Sequence, residues 1–284
     1  ITCFVSALIS PPARLEVPGN NAIWPEINNM LPLNTAWLYG PIGAGASGVL
    51  IIFFICLMVY LQNYKYIFSQ PPIFVKKKMM IIVCAPDEQW VELTKSRQDI
   101  EWKRVTDCNK FSITQGADAF FCLKSCGYIT DFAKLEKPVF INAVDTTLVE
   151  LNAPANVIRI NGWATFLSRN TWEVAGAIDE KASAILKKLQ IKINMVSDEP
   201  GFISARIVAM IINEAYFAVS DNVSSRAEID TAMKLGTHYP YGPFEWATKI
   251  GAANILSLLQ KLNNTGNRYK PATLLVDEVK GKGE

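Results

Sequence analysis

Histidine is almost missing from this chain: His238 is the single one among 284 residues, so a metal site built from several imidazoles is excluded. Close cysteine pairs are missing too. Cys3, Cys56, Cys84, Cys108, Cys122 and Cys126 are scattered, and the nearest two stand four apart, not at the spacing of a zinc knuckle or redox motif. They read as buried or free thiols in a reducing compartment. Strong net charge is lacking as well. The balance of 28 Lys+Arg against 26 Asp+Glu is +2, and no basic cluster alternates with aromatics, so nucleic acid is not expected as a partner. Apolar side chains are plentiful, at 50% of residues. That suffices for a sizeable core, at a length that suits two domains or one with appendages.

Charge is also unevenly spread. Residues 1–78 hold seven charged side chains: Arg14, Glu16, Glu26, Lys65, Lys76, Lys77 and Lys78. Between Glu26 and Lys65 there is none, and Gly48 to Leu61 is almost wholly apolar. Extended back to Ile42, the run reaches the length of a bilayer span, roughly 20 residues. Trp37 and Tyr39 lie at one end and Tyr60, Tyr64 and Tyr66 at the other, as an aromatic belt would. Lys65 and Lys76 to Lys78 follow, which places the rest of the chain in the cytoplasm if residues 42–62 are a span. Two readings stand side by side: an N-terminal transmembrane helix over about 42–62, or upstream sequence translated in frame ahead of Met79-Met80. Gly43 to Gly48 also match G-x-G-x-x-G, but Pro41 precedes them and no acid follows until Asp87. A small-residue face on a membrane helix explains them better than a dinucleotide turn.

From Met80 the pattern becomes short apolar runs between polar stretches. Met80–Cys84, Ala119–Leu123, Pro138–Asn142, Val157–Ile160 and Ile191–Val196 read as strands. Pro86–Lys95 reads as a helix, and so does Trp172–Leu189, on Val174, Ile178, Ala182, Ile185, Leu186 and Leu189. The alternation predicts a mostly parallel sheet with helices on its faces over residues 80–197. What this stretch lacks is glycine at the first strand–helix turn, which reads Cys84-Ala85-Pro86-Asp87-Glu88. Glycines let the backbone approach a pyrophosphate. Pro86 has no N–H, and two carboxylates suit a helix start rather than an incoming anion. That turn is expected to offer no cofactor-binding residue.

Residues 198–284 read as all-helical. Asp198, Glu199 and Pro200 open a long apolar helix through Phe217, and Ser225 to Glu228 form a capping box before a second helix, Ile229 to Leu235, with Gly236 as its stop. Tyr239 to Phe244 form a rigid turn into a third helix, and Gly251 separates that from a fourth, Ala252 to Leu262. Four motifs follow in order: Asp198 with Pro200-Gly201-Phe202 and Arg206; Asn213-Glu214-Ala215; Ile229 to Gly236 (IDTAMKLG); and Tyr239-Pro240 with Gly242-Pro243-Phe244-Glu245.

In order and spacing these motifs resemble the C-terminal domain of 3-hydroxyacyl-CoA dehydrogenases. The clear match covers residues 198–275, and residues 80–197 resemble a shortened form of that family's NAD domain. The resemblance implies an α/β fold, a shortened Rossmann-like parallel sheet, followed by an all-α dehydrogenase domain. It implies oxidation of the 3-hydroxyl of an acyl-CoA with NAD as hydride acceptor, in fatty acid metabolism. It further implies acyl-CoA as ligand and a homodimer through the C-terminal helices; the expected location is cytoplasmic, tethered on the cytoplasmic side of a membrane if residues 42–62 are a span.

In that family a histidine oriented by a glutamate takes the hydroxyl proton, while a serine and an asparagine hold the substrate oxygens. Such chemistry needs a base with a pKa near working pH and fixed donors for the developing oxyanion. Carried onto this chain, the histidine's place is Ala164, within Gly162-Trp163-Ala164-Thr165-Phe166, and the glutamate's is Glu173. The serine's place is Thr146, within Ala143-Val144-Asp145-Thr146, and the asparagine's is Ala205. Glu173 and Thr146 are therefore the catalytic candidates. Pro200, Gly201, Phe202, Arg206, Asn213, Gly242, Pro243 and Phe244 form the motif of the substrate and dimer domain. No metal ligands are expected. Ala164, Ala205 and the missing glycines support a second expectation, a catalytically silent homologue that keeps the dimer face and an acyl-CoA groove. His238, beside Tyr239, reads as a partly exposed turn histidine.

Overall fold

The structure is a computed structural model, and it describes residues 57–59, 61, 78–95, 97, 99–124, 129–264 and 266–281. The chain divides into two compact units, Ile1–Phe74 and Val75–Glu284. In the first, only Leu57–Val59 and Leu61 are described, and they are helical. The apolar stretch over 42–62 therefore lies almost wholly outside the described residues. Among those described, no helix is long and apolar enough to cross a membrane.

The second unit begins with a seven-stranded sheet. Its strands are β1 (Met79–Cys84), β2 (Ile100–Val105), β3 (Ala119–Cys122), β4 (Val139–Asn142), β5 (Val157–Ile160), β6 (Thr171–Ala175) and β7 (Lys192–Met195). Helix α1 (Asp87–Thr94) joins β1 to β2, and α2 (Glu180–Lys188) joins β6 to β7. The spatial order is β2-β1-β3-β4-β5-β6-β7. Neighbours run parallel except β5 and β6, where Ile160 pairs antiparallel with Val174.

Side chains alternate between the two faces, as a pleated strand requires. Ile81 and Val83 join Phe121, Phe140, Ile158 and Leu186 on the face covered by α1 and α2. Ile82 and Cys84 face the other way, with Phe111, Phe120, Phe132 and Ile141. That second face is covered by the short 3-10 turns Cys108–Phe111 and Ile129–Leu135. Cys84 and Cys108 are free, buried thiols, and Cys122 is buried beside them. Burial and the neighbouring Cys108 push the Cys84 thiol up to about 12.

Five helices follow: α3 (Ser204–Ser220), α4 (Arg226–Thr237), α5 (Pro243–Ile250), α6 (Ala252–Asn263) and α7 (Thr273–Gly281). Their core holds Ala209, Ile212, Tyr216, Trp246, Ile255, Leu258 and Leu259, and it also takes in Val144, Trp163 and Phe166 from loops of the sheet. Each fully buried leucine contributes roughly 1.5–3 kcal/mol. The shared core fixes the helices against the ends of β4 and β5.

Several elements differ from the reading of the sequence. Trp172–Leu189 is not one helix: Thr171–Ala175 is strand β6, and helix α2 starts only at Glu180. Gly176, at φ +119, breaks the run, so Val174 belongs to the sheet although its spacing fits a helix. The sheet is mostly parallel as expected, with β5 and β6 pairing antiparallel. Gly236 does not stop α4. The helix runs to Thr237 and ends where exposed His238 adopts a left-handed conformation, φ +56. Strand β2 and helix α7 were not anticipated.

Candidate functional site at the C-terminal edge of the sheet

Arg159 organises this edge. It sits on β5 with its side chain wholly buried. Its Nε donates to the Ala143 carbonyl at 2.8 Å, and its Nη2 donates to the carbonyls of Val144 and Glu199, each at 3.3 Å. Its Nη1 pairs with Asp198, and the guanidinium lies 4.7 Å from the Phe202 ring centre. Burial pulls the arginine's pKa down, while the hydrogen bond and charge of Asp198 oppose that shift. Asp198 in turn accepts from the Leu148 amide at 2.9 Å. Next to it the Gly201 amide donates to the Val144 carbonyl at 2.7 Å. Gly201 has φ +86, a conformation that strains any other residue, and a Cβ there would press on Leu258 Cδ1 at 3.1 Å. The Pro200-Gly201-Phe202 turn is thus bolted to the loop that follows β4.

Beside this clamp lies a cleft of about 510 Å³, over the ends of β3 and β4. Its polar lining is Gln89, Lys124, Asn142, Asp145, Thr146 and Asn254. Asn142 accepts from the Gly162 amide at 3.1 Å, and a Cβ on Gly162 would meet Asn142 Cβ at 2.8 Å. The Gln89 side-chain amide donates to the Gly162 carbonyl. The Thr146 hydroxyl donates to Asp145 at 3.0 Å, and Asp145 also accepts from Ser257 of α6. Ala164 borders an adjoining recess of about 250 Å³ with Asp87, Glu88, Lys249 and Asn254. Its methyl group neither accepts nor gives a proton. The next residue, Thr165, has φ +78 and donates its amide to Glu92 at 2.7 Å.

Glu173 lies elsewhere. It lines a separate cavity of about 370 Å³ with Asn161, Asn194 and Ser204. Its carboxylate accepts from the Ser204 amide at 3.0 Å and the Ser204 hydroxyl at 2.7 Å, while Asn161 donates to that hydroxyl at 3.2 Å. Glu173 therefore caps the first turn of α3. The two catalytic candidates, Thr146 and Glu173, line different cavities. Ala205 is fully buried in the helical core.

The remaining motif residues hold helices in place. Arg206 donates to the Pro200 carbonyl at 2.8 Å. Buried Asn213 donates to the Lys270 carbonyl at 2.9 Å and accepts from the Ala272 amide at 2.8 Å, fixing the entry to α7. Asp230 accepts from the Phe244 amide at 2.8 Å and the Glu245 amide at 3.2 Å, capping α5. A Cβ on Gly242 would fall 2.3 Å from Asp230 Oδ1, which explains the glycine. Pro243 is the first residue of α5, and Phe244 packs edge-on against Tyr216. No group of side chains suited to a metal ion occurs among the described residues.

At the first strand–helix turn, Arg104 reaches back from β2. It donates to the Ala85 carbonyl at 2.8 Å and pairs with Asp87 at 2.6 Å. Its guanidinium stands 5.5 Å from the Trp90 ring centre. Sequence reasoning missed Arg104, Arg159 and Glu92. A lone arginine in the apolar run Val157–Ile160 was the available signal for Arg159.

Residues 201–282 match the family model described as 3-hydroxyacyl-CoA dehydrogenase, C-terminal domain. The chain is 43% identical over 97 residues to 3-hydroxyadipyl-CoA dehydrogenase of Escherichia coli K12, a match covering 34% of this chain and 20% of that protein. It is 38% identical over 102 residues to 3-hydroxybutyryl-CoA dehydrogenase of Bradyrhizobium diazoefficiens, covering 35% of each. The chain thus spans a fifth to about a third of these curated relatives. Among solved structures, (S)-3-hydroxybutyryl-CoA dehydrogenase of Ralstonia eutropha aligns with TM-score 0.56 and 17% identity, over 72% of this chain and 94% of that one. At that identity the likeness speaks for the fold alone.

Proposed function

We propose that this chain, which belongs to the 3-hydroxyacyl-CoA dehydrogenase family through its C-terminal domain, takes part in oxidation of the 3-hydroxyl of an acyl-CoA in fatty acid metabolism. NAD is the hydride acceptor that the family implies. The carrying observation is the family's C-terminal domain at residues 201–282. The packing beside it supports the reading: Arg159 and Asp198 fasten the opening of that domain to a polar-lined cleft at the sheet edge. A concave cleft in which several polar groups converge suits a polar small-molecule ligand. The thioester end of the acyl-CoA would lie there, with Asn142, Thr146 and Asn254 within the lining. The turn spanned by Arg104 does not fit the pyrophosphate of NAD, and hydride transfer is not assigned to this sheet. The chain acts in the cytoplasm as a homodimer through its C-terminal helices, whose exposed Ile203 and Ile207 support the pairing.

A second reading has its own observation. Ala164 stands where the family's base would be, and the Glu173 carboxylate is bound to Ser204. A catalytically silent, dimeric acyl-CoA-binding or assembly module would need neither. Incubating the purified full chain with NADH and acetoacetyl-CoA, and following nicotinamide absorbance, separates the two. Turnover reduced by Thr146→Ala supports the dehydrogenase and requires that the chain itself hold NADH, against a first strand–helix turn closed to the dinucleotide. Turnover untouched by both Thr146→Ala and Glu173→Gln rejects the site assignment. Calorimetric binding of acetoacetyl-CoA without turnover supports the silent module, and neither binding nor turnover rejects both.

A further inference from the structure

We infer that the first strand–helix turn of this sheet is closed to a dinucleotide, so that this chain does not carry the hydride acceptor itself. The closure is a matter of local geometry. Only the identity of the missing acceptor rests on the proposed reaction.

In an open α/β sheet the ligand lies outside the carboxyl ends of the strands where the strand order reverses. Here that point falls between β1 and β3, with β2 on one side and β3 and β4 on the other. A dinucleotide must cross it, one nucleoside to each side and the pyrophosphate over the start of the intervening helix. Three features obstruct that path. Pro86 precedes α1 and supplies no N–H, while Asp87 and Glu88 put carboxylates in its first turn. Negative groups there satisfy the helix dipole, and an incoming phosphate would meet Glu88 as a like charge, Asp87 being paired with Arg104. Arg104 crosses from β2 to the turn, donating to the Ala85 carbonyl at 2.8 Å and neutralised by Asp87 at 2.6 Å. Its packing on Trp90 occupies the β2 side. Finally, Gln89 is tied to the Gly162 carbonyl, which draws the loop bearing Ala164 onto the start of α1.

The open space at this turn lies toward β3 and β4, where Pro86 and Gln89 line the cleft and Pro86 to Gln89 line the adjoining recess. The cleft of about 510 Å³ reaches Lys124, Asn142 and Asp145 but not Arg104 or the end of β2. It is open to a thioester arm and leaves no continuous bed for two nucleosides.

The test titrates NADH into the full chain, reading nicotinamide fluorescence excited by energy transfer from tryptophan, with NAD as competitor. Acetoacetyl-CoA binding is measured separately by calorimetry. No saturable NADH signal is expected up to about 1 mM. The double substitution Asp87→Ala with Arg104→Ala is expected to raise NADH affinity by about tenfold, with near-UV dichroism checking its fold. Saturable, NAD-competed binding of NADH to the native chain, as tight as to the variant, would overturn the inference. Acetoacetyl-CoA binding alone supports both closure and substrate reading. Binding of neither ligand supports closure while rejecting the substrate reading.

Discussion

In the run Val157–Ile160 a guanidinium stands between apolar neighbours, and the fold surrounds it with three carbonyls, a carboxylate and a ring. Such a group is worth little as a net stabiliser, yet removing it leaves every partner stranded. Arg159→Met is accordingly expected to cost about 3 kcal/mol, because Asp198 and the carbonyls lose their buried donor. Urea unfolding measures this, and a loss below about 1 kcal/mol, the worth of a surface pair, would show that the clamp carries no load. Residue identity was only partly legible beforehand. Pro200, Gly201, Arg206, Asn213 and Gly242 stood out as a motif, but their work is structural: Gly242 makes room for Asp230, and Asn213 pins the chain before α7. Glu173 stood out for the same reason, and only its bonds to Ser204 reveal that it caps a helix. Sequence neighbours of Glu173 carry no information about Ser204, 31 residues away.

Elements were legible where local chemistry dominates. The Ser225 to Glu228 capping box forms as its sequence predicts: Ser225 receives the Glu228 amide, and Glu228 accepts from the Ser225 amide at 3.0 Å. The Ser225 hydroxyl, donating to the carboxylate at 2.7 Å, with the Ser225 amide and the Ser224 hydroxyl, holds the Glu228 carboxyl down at about 2. A depressed folded pKa contributes stability that is present above the ordinary value of 4.5 and is lost as pH falls through about 2. Unfolding measured from pH 5 down to 2 should therefore decline less steeply in Glu228→Gln than in the native chain. Equal slopes would mean that the exposed box is indifferent to charge. Elements were illegible where context decides. Strand β2 buries only its two ends, Ile100 and Val105, with Glu101, Lys103 and Arg104 exposed between them, and looks polar. Strand β6 shares its apolar positions with a helical period, and the left-handed Gly176 separates it from α2.

At the scale of the molecule, α3 buries Ala205, Val208, Ala209 and Ile212 against the helical core and leaves Ile203 and Ile207 about half exposed on another side. Leu235 of α4 is 75% exposed. Exposed apolar side chains such as these are available for the association that the proposed homodimer needs. Sedimentation velocity should find a dimer for the native chain and a monomer for Ile207→Asp, with unchanged far-UV dichroism. A native monomer at all concentrations would remove the dimer from the proposal. The sequence by itself determined the alternation of strands with helices and the helical C-terminal domain, because each is written in local periodicity. Tertiary structure alone decided that Thr146 and Glu173 face different cavities, that Arg159 joins the sheet to the helices and that Arg104 spans the first turn. Those are contacts between residues far apart in the chain, and only packing brings them together.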